Sequence, residues 1–366
     1  MTQPPIEIST TLGSPAPLVS SPSHISDPLN LTAAVLMIVI GCFGIVCNGL
    51  ICYIFIRSPN ERTSFNLICF FRGFGNVIVL FWGFIVIFVP MTIAGDSLYS
   101  PTFQSIGIIT VMSTYTGLEY LGGLIAVNRF IAMYFPFFYS KAFNLKVTFI
   151  HLLVLVSYRV FRIIYELTRG LRKFTPTTVI KTFGKISANK CYTTYSSEAL
   201  TWYPTFLEVC KPPTAIYVNG VVVTLVFEVS INALTFVKIY FFYQSSDIDQ
   251  RELKKKVRKN KVLFIQTCLQ DAAYLVDMVS TFQLSPLSEE RYWTFIFGSL
   301  VWESVHACDG LIMILFNERL TFLRKIFFPS SANTSQLQNA QSIGTSVSQN
   351  SIAASPPLKT APASVE

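Results

Sequence analysis

The sequence predicts an all-α membrane protein: a bundle of seven transmembrane helices with its N-terminus outside and its C-terminus in the cytoplasm. Three observations predict it. Seven apolar runs follow one another along the 366 residues, and each approaches or exceeds the roughly 20 residues needed to cross a bilayer as a helix. Charged residues make up 13% and hydrophobic residues 51%, whereas a soluble domain carries about 25% charged residues. The Lys and Arg residues of the short connections gather on alternate sides of the runs, the pattern that orients membrane helices. Such a composition excludes a cytosolic enzyme, a disordered chain and a secreted disulfide scaffold.

The elements follow in order. Residues 1–32 are rich in Pro, Ser and Thr and hold no Lys or Arg, so they read as an extracellular disordered tail without the basic leader of a signal peptide. The seven-transmembrane domain spans 33–317. Its seven runs are Ala33–Ile56, Phe65–Pro90, Ile106–Phe135, Val147–Tyr165, Ile216–Tyr243, Val262–Leu284 and Tyr292–Phe316. They are continuous rather than alternating with period two, which argues against a β-barrel. The first loop has Arg57 and Arg62, the third has Lys141 and Lys146, and the fifth carries a basic run from Arg251 to Lys261, while 91–105 has no Lys or Arg. These placements set the N-terminus outside. Residues 318–328 alternate basic and apolar positions and read as an amphipathic juxtamembrane helix. Residues 329–366 read as a disordered cytoplasmic tail.

One segment departs from the pattern. Arg159 to Lys211 carries nine basic residues although it belongs outside. Long loops translocate largely regardless of charge, so the basic stretch is tolerated within a long extracellular loop (166–211); alternatively, part of 159–190 is an insertion that truncates the fourth helix. Six of the eight cysteines lie in apolar runs and read as buried thiols, and only Cys191 and Cys210 lie in a polar segment.

A polar side chain inside a span is expensive and marks a candidate site. Asn48 and Asn76 sit well inside the first and second runs, where a paired structural contact is expected, and Arg72 lies one turn from Asn76. Glu303 and His306 share a face of the seventh run, Asp309 continues that stripe inward, and Asp277 nears the outer end of the sixth. Glu119, Glu228 and Asp271 are also intramembrane. The third run ends in Asn128-Arg129-Phe130, with Pro136 and Tyr139 beyond it.

These residues resemble the motifs of G-protein-coupled receptors. Asn128-Arg129-Phe130 looks like a variant of the Asp-Arg-Tyr motif. Asn48 resembles the helix-one Asn, and Asn76 stands in the place of the helix-two Asp. The outer loop from Cys191 to Trp202 and Cys210, and the seventh run Trp302-Glu303-Ser304-Val305-His306-Ala307-Cys308-Asp309-Gly310, are most similar to the nematode serpentine chemoreceptors of the Srx class, over roughly residues 33–325.

The resemblance implies a plasma-membrane chemosensory receptor, of chemosensory neurons, that binds a small-molecule or peptide cue and activates a heterotrimeric G protein. It assigns Asn128, Arg129 and Phe130 to G-protein coupling, Asn48, Asn76 and Asp309 to structure, and Glu303, His306 and Asp277 to the ligand. The superfamily's outer helix-three Cys is absent, so the disulfide expected from the resemblance is Cys191–Cys210 within the loop. Asn-Pro-x-x-Tyr is missing from the seventh run, and Asp309-Gly310 stands near its place. Val111 stands where amine receptors carry an Asp. No phosphate loop, metal-ligand spacing or nucleophile motif points to an enzyme, a metal or a cofactor. The basic run lies beside a bilayer and does not mark nucleic-acid binding. The competing readings are a ligand-gated cation channel of the insect odorant-receptor type, whose N-terminus is cytoplasmic, and a transporter, for which no duplicated halves are evident.

Overall fold

The computed structural model describes residues 27–59, 62–172, 193–204, 214–245 and 251–316. The tails, the 318–328 segment and the Cys191–Cys210 pair lie outside the described residues. Seven long helices dominate: α1 (Pro28–Arg57), α2 (Ser64–Ala94), α3 (Pro101–Tyr134), α4 (Leu145–Arg172), α5 (Thr214–Ser245), α6 (Arg251–Val279) and α7 (Arg291–Phe316). A two-turn helix, Pro136–Ala142, follows α3, and a hairpin, β1 (Thr193–Ser196) and β2 (Thr201–Pro204), precedes α5.

Local chemistry starts these helices where the sequence changes character. The Asp27 carboxylate accepts from the Leu29 amide ahead of Pro28, and the Ser100 hydroxyl accepts from the Phe103 amide ahead of Pro101. Each cap satisfies an otherwise orphaned helix amide, and proline at the first turn sacrifices a donor that had no partner. Thr63 caps α2 in the same way through the amide of Asn66. Helix α2 ends at Gly95, whose φ of 92° favours glycine.

Six of the seven helices contain stretches long and apolar enough to cross a membrane; the exception is α3. The reason lies in packing. α3 runs through the middle of the bundle against α2, α4, α5 and β1. Its Ser113, Thr116, Glu119, Asn128 and Arg129 are all buried, so they meet protein and not lipid. By contrast α4 and α5 turn Leu153, Val154, Phe161, Val223 and Val226 outward, the apolar exterior a chain shows to a hydrocarbon solvent.

The fourth helix is not truncated. It runs through Arg159 and Arg162 to Arg172, so 166–172 is helix rather than loop. Arg159 Nε donates to the Ser113 carbonyl of α3 at 3.0 Å, and its guanidinium lies 5.6 Å from the Tyr120 ring. Its charge is thus part of a helix–helix contact. The six described cysteines are free thiols, but Cys42 and Cys308 are exposed on the outside of the bundle, contrary to the expectation of burial.

Helices α1 and α7 approach through small residues. A Cβ at Gly44 would lie 2.6 Å from Leu80 Cδ1 and 2.8 Å from the Ala307 Cα. Gly44→Leu is expected to lower the thermal unfolding midpoint and the yield of monodisperse protein, because overpacking costs about 1–3 kcal/mol. Gly49→Leu, where a Cβ meets nothing within 4 Å, should leave both unchanged.

Candidate functional site

A polar core lies in the interior of the bundle. Arg72 on α2 and Asp309 on α7 form a bidentate pair, with Nε–Oδ2 at 2.8 Å and Nη2–Oδ1 at 2.9 Å, and both side chains are at most 2% exposed. Asn76 donates to Asp309 Oδ2 at 2.6 Å and to Asn48 Oδ1 at 3.0 Å. Asn48 in turn donates to the carbonyls of Gly44 and His306, and Gln270 on α6 donates to Asp309 Oδ1 at 2.7 Å. Asp309 is the acceptor on which α2, α6 and α7 converge. The close approach of α1 rests on Gly310, where a Cβ would meet the Asn48 amide nitrogen at 2.6 Å.

Above this layer stands an aromatic cluster. His306 is fully buried, and its Nδ1 lies 2.8 Å from Asn76 Oδ1. The Asn76 amide nitrogen is already used as a donor, which places the ring proton on Nδ1. The His306 ring lies edge-on to Tyr115 and Tyr274, and Trp302 joins Tyr115, Phe84 and Phe88. Asp277 accepts from Tyr115 at 2.8 Å and from Thr281 at 3.3 Å. Glu303 turns instead toward α1, where a Cβ at Gly41 would meet its Oε1 at 2.9 Å.

Two of the three ligand candidates, His306 and Asp277, meet at Tyr115, while Glu303 lies against α1. All three are buried, and none lines a principal cavity among the described residues. No group of three His, Cys, Asp or Glu side chains among the described residues is placed to hold a metal ion.

The hairpin closes one end of the bundle. Tyr195 is 1% exposed, stacks on Phe88 at 4.6 Å and shares a 2.7 Å hydrogen bond with Thr92; burial pushes its phenol above the ordinary tyrosine range. Across the ladder from Tyr195 stands Trp202, 6.1 Å from Trp302. The turn residue Leu200 adopts φ 54°, and its carbonyl accepts from Ser299. The Ser197 amide donates to Asp96. Arg291 at the start of α7 donates to Asp27, Asn30 and the Glu198 carbonyl, a clasp joining α1, α7 and the hairpin.

At the opposite end, Asn128 and Arg129 line a cavity with Phe65, Tyr139, Thr235 and Leu263. Arg129 Nη1 donates to the Thr267 hydroxyl of α6, and its guanidinium stands 5.1 Å from the Phe65 ring. Arg129 Nε and Nη2 and Asn128 Nδ2 have no partner among the described residues. Phe130 faces away from this pair and stacks on Tyr134 at 4.5 Å.

The sequence reading missed Gln270, Tyr274 and Thr267 as partners. The signal was present in the spacing of Thr267, Gln270, Asp271, Tyr274 and Asp277, a polar stripe at helical period on α6.

The chain is similar to known proteins over most of its length. The family described as serpentine type seven-transmembrane G-protein-coupled chemoreceptor Srx matches residues 38–317. Serpentine receptor class X 45 of Caenorhabditis elegans is 25% identical over 315 residues, covering 78% of this chain and 79% of that protein.

Two outcomes test the energetics. Asp309→Asn leaves Arg72 charged and buried without its counter-ion, which costs about 3–5 kcal/mol, and should sharply lower the thermal unfolding midpoint of detergent-purified protein. Arg72→Met combined with Asp309→Leu should recover part of that loss, but not all, because Asn76 and Gln270 lose their acceptor. The clasp is pH-dependent. Arg291 holds the Asp27 carboxyl below the usual carboxylate range, so its stabilisation is present above the unfolded-state value and is lost as pH falls through the lower folded value. The protection factors of the hairpin amides, their exchange relative to unstructured peptide at the same pH, should be high at neutral pH and fall in acid, and Asp27→Asn should remove the acid-dependent step.

Proposed function

Because the chain belongs to the Srx family of serpentine seven-transmembrane chemoreceptors, we propose that this chemosensory receptor sits in the plasma membrane with its N-terminus outside. There it binds a small extracellular cue and activates a heterotrimeric G protein. The observation that carries the coupling half is the state of Arg129. It is 8% exposed, tied to Thr267 of α6 and Phe65 of α2, and borders the cavity at the end of the bundle where the basic connections lie. Separating α6 from α3 breaks a charge-assisted hydrogen bond and frees a guanidinium with unused donors for a partner's carbonyls. A cue that favours the separated arrangement shifts the population toward it.

The orientation rests on the Lys and Arg of the short connections. In this reading the cue enters among the helices beneath the hairpin, beside the aromatic cluster of Tyr115, Tyr274, Trp302 and His306. Asn48, Asn76 and Asp309 serve as structure, and Glu303, His306 and Asp277 serve the ligand, the last two meeting at Tyr115.

Arg129→Gln should abolish cue-evoked second-messenger signalling in a heterologous cell while surface expression persists; normal signalling from that variant overturns the coupling role. An epitope at residue 5 should be accessible to antibody in unpermeabilised cells. An inaccessible epitope would reverse the orientation and favour the channel reading.

A further inference from the structure

The space beneath the hairpin is already filled. Phe88, Tyr115, Trp302 and His306 meet there, and none of them lines a principal cavity among the described residues. A cue enters this cluster only if a side chain gives way. These four rings belong to the long helices α2, α3 and α7. Two further rings come from the hairpin: Tyr195 and Trp202 are cross-strand partners, and both reach the cluster. Trp202 is half-buried, whereas Tyr195 is fully buried.

Tyr195 sits in α2 as a guest sits in a slot. Its ring lies nearly parallel to Phe88, 15° between planes and 4.6 Å between centres, the stacked geometry aromatic pairs favour. The far end of the slot is Thr92. Its hydroxyl donates to the Phe88 carbonyl at 2.8 Å, and a hydroxyl has one proton. Tyr195 is therefore the donor in the 2.7 Å bond between the two oxygens. The slot selects a flat ring with a hydroxyl donor at its tip.

The hairpin does not depend on this side chain to stay in place. Its turn is held through backbone groups: the Ser197 amide donates to Asp96, and the carbonyls of Glu198, Ala199 and Leu200 accept from Arg291, Thr294 and Ser299. Withdrawal of the Tyr195 ring leaves all four of these bonds intact. From the slot, ring contacts run inward without a break, Phe88 to Trp302 and Trp302 to Tyr115 and His306.

We propose that Tyr195 is a tethered occupant of the cue's own slot, and that the cue is a small phenol that takes its place between Phe88 and Thr92. The assignment rests on the chemoreceptor reading and names the class of cue. The device is autoinhibitory. A tethered group competes at an effective concentration of about millimolar, so the slot stays closed to weak or dilute aromatics, and the affinity for the cue is lowered by the fraction of time the slot is filled from within.

The test is physical exchange, independent of any G protein. Full-length receptor carrying 3-fluorotyrosine is placed in phosphatidylcholine nanodiscs, and the Tyr195 fluorine resonance is assigned as the one missing from Tyr195→Phe. The expected result is that 4-methylphenol moves this resonance saturably toward that of exposed Tyr292, while toluene does not. In Tyr195→Ala, 4-methylphenol should restore several degrees of the lost melting midpoint. Thr92→Val in that background should weaken its binding about fivefold, to the level of toluene, because the acceptor is gone. No movement of the Tyr195 resonance makes the ring a fixed wall, and equal movement with toluene makes the slot blind to the hydroxyl; either result overturns the proposal. If the variants do not fold, the two solutes on the fluorinated receptor, assigned by paramagnetic relaxation from the aqueous side, still decide. Exchange without any second-messenger response would sink the proposed signalling and leave the slot standing; a response to 4-methylphenol with Tyr195 unmoved would do the reverse.

Discussion

The bidentate pair between Arg72 and Asp309 is the constraint around which the interior is arranged. Two full charges removed from water are tolerated only when geometry and further hydrogen bonds satisfy both. Asp309 accordingly accepts from Arg72, Asn76 and Gln270, and Arg72 also lies over the Tyr274 ring. These partners come from α2, α6 and α7, and Asn48 ties in α1 through Asn76 and the His306 carbonyl. Four helices are thus held in register by one ion pair. Lipid supplies no hydrophobic drive between apolar helices, so packing of small residues and polar contacts must do this. Gly44 and Gly310 belong to the same device, because a side chain at either would hold α1 away from α7.

The two ends of the bundle then differ in kind. One end is closed by groups of the β-hairpin that reach inward: the Tyr195 side chain stacks on Phe88, the Leu200 backbone carbonyl accepts from Ser299, and those of Glu198 and Ser197 accept from Arg291. At the opposite end Arg129 borders a cavity, held by one hydroxyl and one ring and with donors to spare.

How legible this was varied residue by residue. Asn48 and Asn76 could be singled out because an amide inside an apolar run is conspicuous, and a single contact joins them. Arg72 was equally conspicuous, but its partner lies 237 residues away, and no local pattern links them. The third span was recognisable as a run, yet nothing along it says that its polar residues face protein. That is a property of its central position, which also explains why it is less apolar than the other six. Glu303 and His306, three residues apart, looked like one face; in the bundle Glu303 turns to Gly41 and His306 to Asn76, because the face is wide enough to meet two different neighbours. The basic residues of α4 were read as loop charge, whereas Arg159 is satisfied by a carbonyl of α3.

By itself, then, the amino-acid sequence determined that the chain lives in lipid, that it crosses it as helices, and which residues are too polar to be there without partners. Those are properties of single segments: length, hydropathy and the cost of an isolated polar group, each computable without knowing what lies across the bundle. Only the tertiary structure decided who the partners are. It pairs Arg72 with Asp309, brings His306 and Asp277 together at Tyr115 while Glu303 turns to α1, and leaves Glu119, Glu228 and Tyr274 around one cavity. Helix packing sets these outcomes, because a buried charge takes whatever donor or acceptor the neighbouring helices bring within hydrogen-bond reach.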